Sequence, residues 1–298
     1  MKPDLIFSAD WHLRLDTPTC WTGNFLESQA EAITFVVDKA KKYKCPIVIV
    51  GDLGHRALWE NKLERMFIEL TKGVKIFVIA GQHDLVNHQL SKWRDGGIGV
   101  LHEAEAIKMI NTIESNFSYE LYPFHYGMKL KSYRNTKQGP RIIALPHQMV
   151  IEDNPLWPGQ EASTGNKLLK SFPIYDLIVT GDNHLPFVAK QGRRLLVNCG
   201  SLQRQTAAQI DHRPRVYLWE AESNTVNPVY LPYNEKAVSR KHIKQVEDRD
   251  QRMEAFISHV SSDYEISLSV KNNLKKFFES NRIQKRVKQK VYEAIGGE

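Results

Sequence analysis

Cysteine is scarce in this chain. Cys20, Cys45 and Cys199 stand far apart in 298 residues, an odd and scattered set that excludes a disulfide framework or zinc cluster and fits a reducing compartment. Long apolar runs are absent too. The N-terminus offers only Leu5-Ile6-Phe7 between Asp4 and Ser8, too short for a secretory core, and no stretch approaches the roughly 18 apolar residues of a membrane span. Internal repeats and low-complexity tracts are missing as well. These absences lead us to expect a soluble cytoplasmic protein with no membrane partner.

What is present is a globular composition. Apolar residues make up 42% of the chain, enough to core one large α/β domain with an appendage. The net charge of +7 and the pI near 9.1 favour an anionic partner. The excess is concentrated late. From Lys236 onward there are 14 Lys or Arg against 9 Asp or Glu, so the tail carries most of it.

The stretch Pro46-Ile-Val-Ile-Val-Gly-Asp52 organises the rest. A short β-branched run ending in a carboxylate reads as a buried strand that delivers Asp52 to the carboxyl edge of a sheet. Two neighbours repeat the design: residues 4–9 lead to Asp10-Trp11-His12, and residues 74–80 lead to Gly81-Gln82-His83-Asp84. Helical spacing over Ser28 to Lys44 and Leu58 to Thr71 separates them, which implies parallel strands with right-handed crossovers. Asp95-Gly-Gly97 reads as a loop.

Later strands are predicted at 119–122, 141–145, 175–180, 187–189, 195–198, 215–219 and 226–231, a second set of antiparallel character with a hairpin turn at Gln191-Gly192. The expected architecture is two sheets flanked by helices over residues 1–232. A small, mostly helical module should occupy 233–298, with helices at 247–260 and 272–295 and a strand at 264–270.

Two later strands also end in chemistry. Ala144-Leu-Pro-His147 and Val179-Thr-Gly-Asp182-Asn-His184 again place His or Asp just past the last apolar residue. A single such residue is more often a satisfied loop side chain. Five in ordered succession point to one converging site, built for metal.

Asp-x-His, Gly-Asp, Gly-Gln-His-Asp, a lone His and Gly-Asp-x-His, in this order, resemble the signature of the calcineurin-like metallophosphoesterases over about residues 1–232. The chain is most similar to the DNA-repair nuclease branch, which includes the nuclease subunit of the bacterial SbcCD complex and phage recombination counterparts. Gly51-Asp-Leu-Gly-His55-Arg56 and Asn198-Cys-Gly-Ser-Leu-Gln-Arg204 carry that similarity.

The resemblance implies a two-sheet sandwich and a two-metal, manganese-dependent DNA exonuclease and endonuclease for repair or recombination, bacterial or acting in a phage host's cytoplasm. It places Asp10, His12 and His184 on one ion, Asp52 as the bridge, and Gln82, His147 and Asp182 on the second. His83 would be the acid, held by Asp84, while His55 and Arg204 would contact substrate. Magnesium is the alternative ion.

Gln82 and Asp182 depart from the family's Asn and His. Both keep an oxygen donor, so the second site is expected to bind. The partners implied are DNA and an SMC-like ATPase docked on the tail, where Phe277, Phe278, Ile283, Val287 and Val291 form an apolar stripe; self-association into a homodimer would cover the same stripe. The alternatives are a phosphoprotein or small-phosphodiester phosphatase, or a catalytically weakened interaction subunit.

Overall fold

The computed structural model describes residues 2–133, 139–153, 162–240, 243, 252–253 and 270–294. They fall into two compact units, up to Ser239 and from Arg240. In chain order the first unit's strands are β1 (Leu5–Ser8), β2 (Ile47–Val50), β3 (Ile76–Ile79), β4 (Lys108–Met109), β5 (Glu114–Ser115), β6 (Tyr119–Phe124) and β7 (Arg141–Pro146). They continue with β8 (Val150–Ile151), β9 (Ser163–Thr164), β10 (Leu177–Thr180), β11 (Phe187–Gln191), β12 (Arg194–Asn198), β13 (Arg215–Glu220) and β14 (Thr225–Tyr230). Its α-helices are α1 (Phe25–Tyr43), α2 (Asn61–Thr71), α3 (Gly97–Glu103) and α4 (Gly165–Ser171).

Two six-stranded sheets result, ordered β14-β13-β1-β2-β3-β4 and β11-β12-β10-β7-β6-β5. Every residue of β1, β2, β3 and β10 is buried. Alternate side chains explain why. Leu5, Phe7, Val48, Val50, Phe77 and Ile79 face Leu121, Ile143, Leu145, Val179 and Val197 of the other sheet. Ile6, Ile47, Ile49 and Val78 pack outward against Ile33, Val36, Leu63 and Phe67 of α1 and α2. On the far side, Leu168 and Leu169 of α4 cover Ile142, Ala144, Ile178 and Leu196. Strands covered on both faces read as continuous apolar runs. Each fully buried aliphatic side chain contributes about 1.5–3 kcal/mol, so the carboxyl ends of both sheets are held against one another.

The sheet architecture matches the two-sheet sandwich, but three local expectations change. The second sheet is mostly parallel: β6, β7, β10 and β12 run together, with antiparallel partners only at its edges. Asp95-Gly-Gly97 leads into α3, with Gly96 as its cap. The first unit continues beyond Pro232, because Trp21 pairs with Val238 and the Ser239 N–H donates to the Cys20 carbonyl at 2.8 Å.

In the second unit the helix expected over 272–295 is two helices, α5 (Val270–Ser280) and α6 (Lys285–Ala294). Asn281 ends the first by donating both its backbone and side-chain N–H to the Phe277 carbonyl at 3.0 Å. Leu274, Phe277 and Phe278 are buried with Ile283, Val291 and Tyr292 packed on them. The apolar stripe therefore cores its own unit in part, and Val287 stays 46% exposed. The helix expected at 247–260 and the strand at 264–270 lie essentially outside the described residues. Among the described residues no helix is long and apolar enough to cross a membrane.

Candidate metal centre

The site begins where parallel strands stop. Asp10, His12, Asp52 and Asp182 all adopt left-handed backbone, with φ of 51°, 45°, 51° and 79°. Such strain persists only where the surroundings over-determine it. Here the exits of β1 and β2 are bonded to each other: the Asp10 N–H donates to the Gly51 carbonyl at 3.0 Å, and the His12 N–H to the Asp52 carbonyl at 2.9 Å. Two glycines make the close approach feasible. A Cβ on Gly51 would lie 2.0 Å from His147 Nδ1, and one on Gly81 would lie 2.1 Å from Asp52 Oδ1.

Donor atoms converge in three overlapping groups, one of them His12, His55 and His83. Those of Asp10, His12 and His184 lie within 4.8 Å of one another, as do those of Asp10, Asp52 and His147. His12 Nε2 and His184 Nε2 are 3.1 Å apart. Asp52 Oδ2 sits between the groups, 3.7 Å from His12 Nε2 and 3.4 Å from His147 Nε2. It is buried and accepts no hydrogen bond, while Asp52 Oδ1 accepts from the His83 N–H at 2.9 Å. The Gln82 Oε1 faces His147 Nε2 at 2.8 Å, and its Nε2 donates to Asp182 Oδ1 at 2.8 Å. Asp182 also anchors Asp10, its N–H lying 3.1 Å from both carboxylate oxygens.

Residues 4–186 match the sequence model of the calcineurin-like phosphoesterases. This chain belongs to that family. It is a metal-dependent hydrolase of phosphate esters. No curated protein sequence matches it.

Among solved structures it is similar to an archaeal phosphodiesterase, at 12% identity and TM-score 0.42, covering 76% of this chain and 99% of that one. A putative 5'-nucleotidase from Staphylococcus aureus matches at 12% identity and TM-score 0.45, over 82% of this chain and 58% of that longer one. The phosphopantetheinyl hydrolase of Mycobacterium tuberculosis matches at 11% identity and TM-score 0.46, over 78% of this chain and 98% of that one.

The donor set of this phosphoesterase fits divalent cations. Burial holds His12 well below the usual imidazole range against the pull of Asp52, and burial lowers His184 likewise, so both rings offer lone pairs. His147 differs. Burial alone would lower it, but the nearby Asp52 carboxylate, helped by Asp10, pushes it up to about 10. Burial likewise opposes ionisation of Asp52, yet His147 holds that carboxyl well below the usual range. Asp10 is lifted by burial, with His147 opposing and the Asp52 charge adding to the rise. An orphaned carboxylate oxygen between two imidazole sets is what a bridged pair of cations would satisfy.

Other predicted residues have different neighbours from those the motif implied. His83 Nδ1 donates to the His55 carbonyl at 3.0 Å, and the two rings stack 5.7 Å apart at 13°. The His83 ring also meets His12 edge-on at 4.8 Å. Asp84 does not hold His83. Its two oxygens accept the Gly54 and Gly81 N–H groups at 2.9 Å, bracing the loops after β2 and β3, while burial and the Asp52 charge raise it to about 7. Burial, then the Arg14 charge, lower His55 to about 4.

Arg204 lies inside the protein, bonded to backbone. It is 1% exposed, its guanidinium donates to the carbonyls of Ile210, Asn234 and Glu235, and it stacks on Tyr233. A buried guanidinium needs acceptors, and backbone carbonyls supply them here.

His125 has no counterpart among the predicted residues, although it follows β6 with the same strand-end signature. Its Nδ1 accepts the Ala80 N–H at 3.0 Å, fixing the approach to Gln82.

Proposed function

We propose that this phosphoesterase is a two-metal DNA phosphodiesterase, cutting as exonuclease and endonuclease in repair or recombination together with an SMC-like ATPase. The observation that carries the two-metal reading is Asp52, with one oxygen stranded between His12 and His147. Asp10, His12 and His184 would hold one ion; His147, Gln82 and Asp182 would hold the other; Asp52 would join them. Oxygen and imidazole donors without thiolate favour manganese, with magnesium as the alternative.

Bound cations would supply the charge that polarises the phosphoryl group and activates water. The protein's own part is orientation and proton transfer. His83, fixed through Nδ1 on the His55 carbonyl, carries the proton for the leaving oxygen on Nε2, and the stacked His55 ring limits its swing. DNA as substrate is supported by the excess of positive charge, +7 overall and concentrated in the tail. Partner docking is supported by α6, where exposed Val287 lies among Lys285, Arg286, Lys288 and Lys290.

The deciding experiment is cleavage of linear and circular DNA with manganese, with and without the ATPase subunit, beside bis-p-nitrophenyl phosphate and a phosphopeptide. DNA cleavage stimulated by the ATPase is the expected result. Hydrolysis of the phosphopeptide alone would select the phosphatase instead.

A further inference from the structure

One aromatic pair at the rim of the centre is unused by the chemistry above. His88 and Tyr126 are both exposed, with ring centroids 6.2 Å apart and planes at 55°. The planes are tilted, so the two rings do not stack face to face on one another. Both are tied to the loop that carries Gln82. His88 Nδ1 donates to the Gln82 carbonyl at 3.1 Å, and the Tyr126 N–H donates to the Ala80 carbonyl at 2.9 Å. The pair therefore lies one glutamine side chain from His147 and the second metal group.

The backbone there is unusual. Asn87 and His88 are consecutive left-handed residues, with φ of 54° and 56°, and such strain concentrates at ligand clamps. The exposed segment continues with Met128, 41% exposed, and with Lys129 and Lys131. Aromatic faces next to cations match the two halves of a nucleotide, since bases stack on the rings and phosphates pair with the lysines.

We propose that His88 and Tyr126 form a stacking ledge for one nucleobase beside the scissile phosphate. The ledge rests on the nuclease reading and gives it a substrate preference: unpaired or frayed strands, whose bases can leave the helix, over a closed duplex. Because every base presents a π-face, it selects strand state and not sequence.

The test uses the full chain with manganese and a short single-stranded oligodeoxynucleotide in which a stable tetrahydrofuran abasic residue is stepped across the cleaved bond. One abasic position should lower kcat/KM by about 5–150-fold, the worth of one stacked base. Tyr126→Leu and His88→Asn should slow the intact oligonucleotide and remove that penalty, leaving the abasic substrate at its wild-type rate; Tyr126→Trp should restore it. Asn at 88 tolerates the left-handed backbone, so the loop survives.

The ledge is overturned if no abasic position matters to the wild type. It is equally overturned if Tyr126→Leu slows intact and abasic substrates alike, or weakens only a phosphotyrosine peptide. If the protein hydrolyses bis-p-nitrophenyl phosphate but no oligonucleotide, the nuclease reading fails and takes the ledge with it.

Discussion

Gly51→Ala tests the centre at its tightest point. The added Cβ would sit 2.0 Å from His147 Nδ1 and 2.5 Å from Cγ, on a backbone with φ of +84°. His147 must swing away and abandon its 2.8 Å bond to the Val50 carbonyl and its contact with Gln82. Left-handed strain costs about 1–2 kcal/mol and the stranded buried partners about 1–3 kcal/mol, so destabilisation should reach about 2–5 kcal/mol. Gly192→Ala is the control: φ there is +60° with no atom within 4 Å, so only the strain remains. Metal counting by calorimetry with manganese should find one ion in Gly51→Ala, on Asp10, His12 and His184, against two in the wild type, and hydrolysis of bis-p-nitrophenyl phosphate should vanish. If Gly51→Ala keeps two ions and loses no more stability than Gly192→Ala, His147 is not the ligand that this backbone positions.

His83→Ala should keep both ions while hydrolysis falls by about 10²–10⁴-fold, the usual worth of positioned proton transfer; loss of an ion would make His83 a ligand. Metal uptake should release a proton near neutral pH, because the Asp52 charge holds His147 up to about 10 and a ligating ring must give that proton up. Affinity should accordingly rise with pH below that value, and calorimetric heats that do not vary with buffer ionisation enthalpy would refute it. Deleting residues 240–298 should spare bis-p-nitrophenyl phosphate hydrolysis, abolish ATPase stimulation, and weaken DNA binding with a shallower salt dependence. Unfolding of that truncated chain would show that the tail belongs to the core.

The convergence of the candidate donors was legible because they follow apolar runs. Burial on both faces makes a strand conspicuous, and a polar residue just past its end has few places to go but the sheet edge. Direction was less legible. Only β6 alternates; β7, β10 and β12 are apolar runs too short to fix direction by themselves, and their parallel pairing depends on how the connections cross.

The partners of polar side chains were least legible. Asp84 follows His83 in sequence, yet its oxygens face amides of Gly54 and Gly81, and Arg204 meets carbonyls about 30 residues further along at Asn234 and Glu235. Long-range packing decides such pairings. Left-handed backbone at His12 is set by its bond to the Asp52 carbonyl, a contact the local sequence does not announce.

The proposed ligands are divided between the sheets. Asp10, His12, Asp52 and Gln82 leave the first sheet, whereas His147, Asp182 and His184 leave the second, and the two sheets meet mainly through packed apolar side chains. A cation held by both halves is a rivet through that seam. Ions present at 100 times their dissociation constant would add about 2.7 kcal/mol per site to the folded state, and this gain would be lost on chelation. Hydrogen exchange should then quicken first at the carboxyl ends of β2 and β7, and the sandwich should open like a book from the edge where it works.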